Sequence, residues 1–142
     1  MRLIKAIFLV SWVGVMIGCN LGETSRTQKY NTVTPGGIKV RMPNVAWDEN
    51  FESLLMYEID YAGVPRNYVV VLHSTFVIPY PDSSKYPNGV HGYTSFNLKE
   101  IHCGVRTDLS PFIPVLPHEV QHAQCECWCI SDGSHDNDPQ CK

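Results

Sequence analysis

Five consecutive residues, Tyr68-Val69-Val70-Val71-Leu72, set the first constraint on the fold. Three β-branched valines between two large apolar side chains favour extended backbone, where branched carbons pack well on a pleated surface. Side chains of a strand alternate between its two faces, so an uninterrupted apolar run needs cover on both. The run predicts a strand over Asn67–Ile78, buried on both faces. A chain of 142 residues can build one such core and has little left for a second.

Neighbouring patterns supply the other elements. Ile38–Met42 reads as a short strand, and Gly92–Phe96 and Ile101–Val105 read as a hairpin around Asn97-Leu98-Lys99-Glu100. From Asp48 to Tyr61, Phe51, Leu54, Leu55, Tyr57 and Ile59 recur at helical spacing, with Asp48 as a cap and Gly63 and Pro65 as stops. Pro111, Pro114 and Pro117 then fall at every third position. Proline is tolerated only in the first turn of a helix, so an extended approach should give way to a second helix near Val115–Pro117. That helix should run to about Cys127 or Trp128, followed by a polar tail over Ser131–Lys142. The order helix, strand, hairpin, helix, tail predicts an α+β fold, a small mixed or antiparallel sheet packed against helices.

The first residues belong to a different kind of segment. Arg2 and Lys5 precede an apolar run from Ala6 to Ile17, broken only by Ser11 and Gly14. It is short for a bilayer-spanning helix, which needs roughly 20 apolar residues. The run ends in Met16-Ile17-Gly18-Cys19. A small residue before a cysteine, after an apolar stretch, resembles a bacterial lipoprotein signal. Met16 and Ile17 stand where a leucine and a small residue are usual, so the match is partial. The resemblance implies cleavage after residue 18 and a lipid on Cys19 that anchors the protein to a membrane of the cell envelope. An ordinary secretory signal or an uncleaved anchor helix are the alternatives, and all three place the domain outside the cytosol. The expected organisation is a signal peptide over 1–18, a flexible tether over 19–44 and a single domain over 45–142.

Charge and cysteine content fit that setting. The formal net charge is −3, and loss of Arg2 and Lys5 would make the body more acidic still. No basic surface is available to neutralise phosphates, so nucleic acid is not an expected partner. Beyond Cys19 the cysteines are Cys103, Cys125, Cys127, Cys129 and Cys141. Their odd number allows at most two disulfides among them; spacing leaves the pairing open, and one candidate bridge ties Cys141 back to the cluster at Cys125–Cys129.

The predicted second helix carries His118-Glu119-Val120-Gln121-His122. Residues four apart share a helix face, so both imidazoles can reach one Zn²⁺. Glu119 follows the first imidazole and flanks the metal without ligating it. From there it can take a proton from water, whose pKa the metal lowers. Zn²⁺, held by His118 and His122 with Glu119 as general base, is the chemistry this spacing supports.

The pentapeptide, with a predicted hairpin just before its helix, resembles the zincin metallopeptidases in compact form. The resemblance covers about Gly92 to Asp138. It implies a helix bearing the motif packed against the sheet, a zinc-dependent hydrolase acting on a peptide or protein substrate, and an edge strand that aligns the substrate by strand addition. It also implies a third protein ligand. His135, in the turn-rich segment after the helix, is the first choice; Asp132, Asp136, Asp138 and Glu126 are the alternatives. The metzincin pattern is absent, because Cys125 and Trp128 occupy the places of its glycine and third histidine.

Other residues have competing readings. His73, His91 and His102 read as strand or hairpin histidines. Tyr93 reads as a packing residue, with oxyanion stabilisation as its functional alternative. Cys125, Cys127 and Cys129 with a motif histidine would make a closed structural zinc site, a reading that an oxidising compartment disfavours. The alternative to an enzyme is a non-catalytic, disulfide-stapled lipoprotein that serves as a binding or structural module.

Overall fold

The computed structural model describes residues 30–42, 47–130 and 135. The elements in chain order are β1 (Thr32–Val33), β2 (Lys39–Arg41), α1 (Glu49–Tyr61), β3 (Val69–His73), β4 (Gly92–Ser95), β5 (Glu100–Gly104) and α2 (Leu116–Cys125). They form a mixed five-stranded sheet of order β1-β2-β3-β5-β4 with two helices, an α+β fold. The β2–β3 and β3–β5 pairs are parallel, and both outer pairs are antiparallel.

The valine run occupies the middle of this sheet. Val69, Val70, Val71 and Leu72 are all buried, as an interior strand requires. Val70 and Leu72 join Val40, Ile101 and Cys103 on the face covered by both helices. Leu55 and Ile59 from α1, and Leu116, Val120 and Ala123 from α2, complete that core. β3 stops at His73, short of the expected Ile78. The reason lies in β5, where the chain at Phe76 crosses Gly104. A Cβ on Gly104 would sit 2.1 Å from the Phe76 carbonyl oxygen, so only glycine permits the crossing.

α1 begins as its sequence suggests. The Asp48 carboxylate accepts the Phe51 N–H at 3.0 Å, and Glu49 and Glu52 complement the positive end of the helix. Leu54 and Tyr57 were expected on the apolar stripe, but both are exposed; the buried seam is carried by Leu55 and Ile59. Tyr57 instead stacks on Tyr61 at the surface.

The sheet begins inside the stretch expected as a tether and before the expected domain start at residue 45. β1 pairs with β2, and the turn between them is pinned to α1. Asp60 accepts hydrogen bonds from the Thr34 hydroxyl and, at 2.8 Å, from the Gly36 N–H. Two residues of strand carry no legible alternation, so only the partner reveals β1.

α1 also sets the start of α2. Glu58 accepts the Phe112 N–H at 2.7 Å and the Ile113 N–H at 3.0 Å. Ile113 is buried behind this clamp. The proline-spaced segment is thereby fixed just before the helix that carries the histidine motif.

Candidate metal centre

α2 starts at Leu116 with Pro117 in its first turn, as the proline argument requires. Its four-residue spacing brings the Nε2 atoms of His118 and His122 to 3.2 Å from each other. His135 returns over the helix and places its Nε2 3.1 Å from that of His122. The three imidazoles present ligand atoms that all lie within 4.8 Å of one another, the one such group among the described residues. Two nitrogens at about 2.0–2.1 Å from a shared tetrahedral ion stand roughly 3.4 Å apart. The donor set and its spacing therefore fit Zn²⁺ with a fourth position left for a small ligand.

Surrounding groups orient these rings. His122 is buried, and its Nδ1 lies 2.9 Å from the Cys127 carbonyl oxygen. A carbonyl only accepts, so the ring proton sits on Nδ1 and the Nε2 lone pair is directed at the cluster. Trp128 stacks on His122 with ring centroids 5.4 Å apart and packs against His135 at 4.9 Å. Lys85 lies over the Trp128 ring, which brings the 80s loop to the rim of the centre.

Glu119 faces the sheet beside the imidazoles. It is 4% exposed. Thr94 on β4 places its hydroxyl 2.9 Å from Oε2 of Glu119 and 2.9 Å from the Glu119 carbonyl oxygen, and its single proton serves one acceptor at a time. Burial pushes the Glu119 carboxyl up to about 7; the Thr94 hydrogen bond and the nearby His118 oppose the rise. Gly92, two residues before Thr94 on the same strand face, makes room for the helix. A Cβ there would lie 3.1 Å from Glu119 Cγ and 2.9 Å from both Val115 Cγ1 and the His102 carbonyl oxygen.

The structure sorts the remaining candidates. Glu126, a rival third ligand, ends α2 in a left-handed conformation and pairs with Lys99 on the hairpin turn. Asp132, Asp136 and Asp138 lie outside the described residues, as do Cys19 and Cys141 with the bridge expected of it. Cys125 and Cys127 form a disulfide, and Cys129 is disulfide-bonded as well. Those thiols are spent, which leaves the closed thiolate–zinc reading without its ligands. Cys103 is a free thiol, buried in the core, and burial holds its pKa well above the usual range. It is neither a nucleophile nor a ready metal ligand.

Tyr93 is not at the centre. Strand alternation turns it to the opposite face, where it stacks on His102 at 4.3 Å and packs against Tyr80. There His73 Nε2 lies 3.1 Å from His102 Nδ1, and His102 Nε2 lies 2.9 Å from Glu100. Arg41 holds the second Glu100 oxygen at 2.8 Å. The carboxylate fixes a proton on His102 Nε2, so His102 Nδ1 accepts from His73. Burial lowers the pKa of both imidazoles. His91 stacks on Phe76, also away from the cluster.

Sequence reasoning missed Thr94, Trp128 and the Cys127 carbonyl. Thr94 was within reach of it: once Gly92–Phe96 is the strand beside the helix, period-two alternation puts Gly92 and Thr94 on the helix side and Tyr93 on the other. Compared with protein-family models, with curated proteins and with solved structures, the chain finds no match.

Proposed function

We propose that this protein is a zinc-dependent hydrolase of the zincin type, acting on peptide or protein substrates. The observation that carries the reading is the convergence of His118, His122 and His135 beside a buried Glu119 on one side of an edge strand. Zn²⁺ bound by the three imidazoles would supply Lewis acidity that polarises a carbonyl and lowers the pKa of water. Glu119 is the proton acceptor. In the zinc-free protein burial raises its pKa, and bound Zn²⁺ would draw it back down, so the carboxylate can take a proton during attack and pass it to the leaving amine afterwards. Thr94 holds the carboxylate in place, and Trp128 shields the imidazoles.

The edge strand supports a peptide as the ligand. The Gly104 N–H donates to the His91 carbonyl, and β4 pairs with β5 in register Tyr93 to His102. In an antiparallel ladder the bonded pairs alternate, so the main-chain groups of Gly92 and Thr94 point outward from the sheet. Ile78 bridges Val90 on that edge just before β4, and no described strand pairs with it along Gly92–Ser95. An extended peptide added there would run past Glu119.

Anchoring through a lipid on Cys19 belongs to the same proposal. No described helix is long and apolar enough to cross a membrane.

The test is Glu119→Gln assayed against a library of quenched peptides together with metal analysis. The variant should keep its zinc and lose hydrolysis by at least about a hundredfold, the usual scale for a general base. Full activity in that variant would overturn the assignment.

A further inference from the structure

The bond between Cys125 and Cys127 takes no part in the chemistry assigned to the imidazoles and Glu119, yet the Cys127 carbonyl touches His122. α2 ends at Cys125, and Glu126 takes φ 49° and ψ 37°. Left-handed backbone is unfavourable for a residue that carries a Cβ. The disulfide closes around Glu126, and Glu126 also pairs with Lys99, so the reversal is held from two sides. Its consequence is positional: the Cys127 carbonyl is folded back onto the last turn of the helix and receives the His122 Nδ1–H at 2.9 Å.

We propose that Cys127, held by its bond to Cys125, is a positioning residue for His122, and that reduction of this bond weakens the metal centre. The inference rests on the reading that His118, His122 and His135 hold zinc. An external dithiol is the reductant. Two electrons and two protons pass from it to the protein; the Cys125–Cys127 S–S bond breaks, two S–H bonds form, and the dithiol leaves as its own disulfide. With the loop open, Glu126 relaxes from the left-handed region and the Cys127 carbonyl moves off the helix end. His122 then loses the acceptor that keeps its proton on Nδ1 and its lone pair on Nε2.

The bond is accessible. Cys125 is exposed and Cys127 partly so. An open hollow of about 400 Å³, lined by Gln121, Gln124, Cys125, Cys127, Cys129 and Ile130, leads to it. This hollow opens on the cysteines rather than on the imidazoles, as suits a site for a reductant rather than a substrate.

Loss of an outer partner of a metal-bound histidine typically weakens metal binding about 10–100-fold. Linkage makes the effect reciprocal: whatever reduction takes from zinc affinity, zinc must return as resistance of the bond to reduction. Each tenfold corresponds to 29.6 mV for a two-electron couple.

The experiment uses the full oxidised chain and a double variant, Cys125→Ser with Cys127→Ser, which removes this bond without removing Cys129. Zn²⁺ affinity is measured by competition with a chromophoric chelator, and the His122 tautomer by ¹⁵N NMR of the zinc-free protein. The potential of the bond is measured in wild type with and without saturating Zn²⁺, by alkylating freed thiols at each dithiol ratio and mapping Cys125 and Cys127 by mass spectrometry apart from the second bond, at Cys129. Expected are a 10–100-fold weaker zinc affinity in the variant, a His122 Nδ1–H signature lost with the bond, and a midpoint about 30–60 mV more negative with zinc. Equal zinc affinities in both proteins, or a midpoint that zinc does not move, would overturn the inference while leaving the metal centre intact. Failure of the oxidised wild type to bind zinc would overturn both. The wild-type midpoint decides the matter even where the double variant does not fold.

Discussion

The Thr94 hydroxyl lies 2.9 Å from Oε2 of Glu119 and ties the open edge of the sheet to the helix that carries the histidines. Both partners are held by packing: Glu119 is buried, and Gly92 beside Thr94 leaves the space that Glu119 fills. The strand that would align a peptide and the base that would act on it are thus one unit.

Replacement of Thr94 by Val keeps the shape and removes the hydrogen bond. A bond to a charged group is worth about 1.5–3 kcal/mol, so hydrolysis should fall roughly 10–100-fold with zinc content unchanged. The hydroxyl lowers the Glu119 pKa, so its loss should also move the acid limb of the pH–rate profile upward. An unshifted profile would argue against this contact as the one that sets the base.

Gly92→Ala should be costly despite its small size. The added carbon meets Val115, the His102 carbonyl and Glu119. Overpacking of this kind costs about 1–3 kcal/mol, readable as a lower denaturant midpoint. Wild-type stability in the variant would mean that α2 does not pack this closely on β4.

The buried carboxyl of Glu119 makes a signed prediction for the zinc-free protein. Unfolded, the group titrates near 4.5; folded, near 7. Below the lower value it is protonated in both states and costs nothing. Between the two, the unfolded chain gives up the proton that the fold retains, so stability falls as pH rises. Above the higher value the fold carries the whole cost, on the order of 3 kcal/mol at about 1.36 kcal/mol per unit. Glu119→Gln has no such titration. The stability difference between the two zinc-free proteins should therefore shift in favour of the variant across this window, and urea titrations at several pH values will show whether it does.

Leu72→Ala opens the centre of the core, where Leu72 is fully buried. A loss of about 2–5 kcal/mol is expected on unfolding by urea. A loss under about 1 kcal/mol would place Leu72 at a site that collapses freely, against the packing described.

Cys19→Ala should release the protein from the membrane fraction and abolish incorporation of labelled fatty acid. Retention of the variant in membranes would favour an uncleaved anchor over a lipid.

Legibility in the sequence followed the range of the physics involved. The valine run, the Asp48 cap, the proline at the start of α2 and the spacing of His118 and His122 are local, and the structure agrees with each. The end of β3 depends on Phe76 crossing Gly104, a contact between distant segments that alternation does not encode. α2 stops at Cys125 because a disulfide and a left-handed Glu126 close it, and neither can be read from helical periodicity. β1 exists through its pairing with β2 and the hold of Asp60 on the following turn. At the site, local spacing brought two imidazoles together, and period-two alternation separates Thr94 from Tyr93; the approach of His135, and the packing of β4 beside α2 that decides which of those faces meets Glu119, needed the tertiary fold.

Metal analysis of the purified, reconstituted protein decides whether three imidazoles hold one zinc ion. One equivalent of Zn²⁺ is expected, with affinity sharply reduced in each of His118→Ala, His122→Ala and His135→Ala while the fold persists by circular dichroism. A folded wild type that takes up no zinc, or one whose zinc is untouched by His135→Ala, would contradict it.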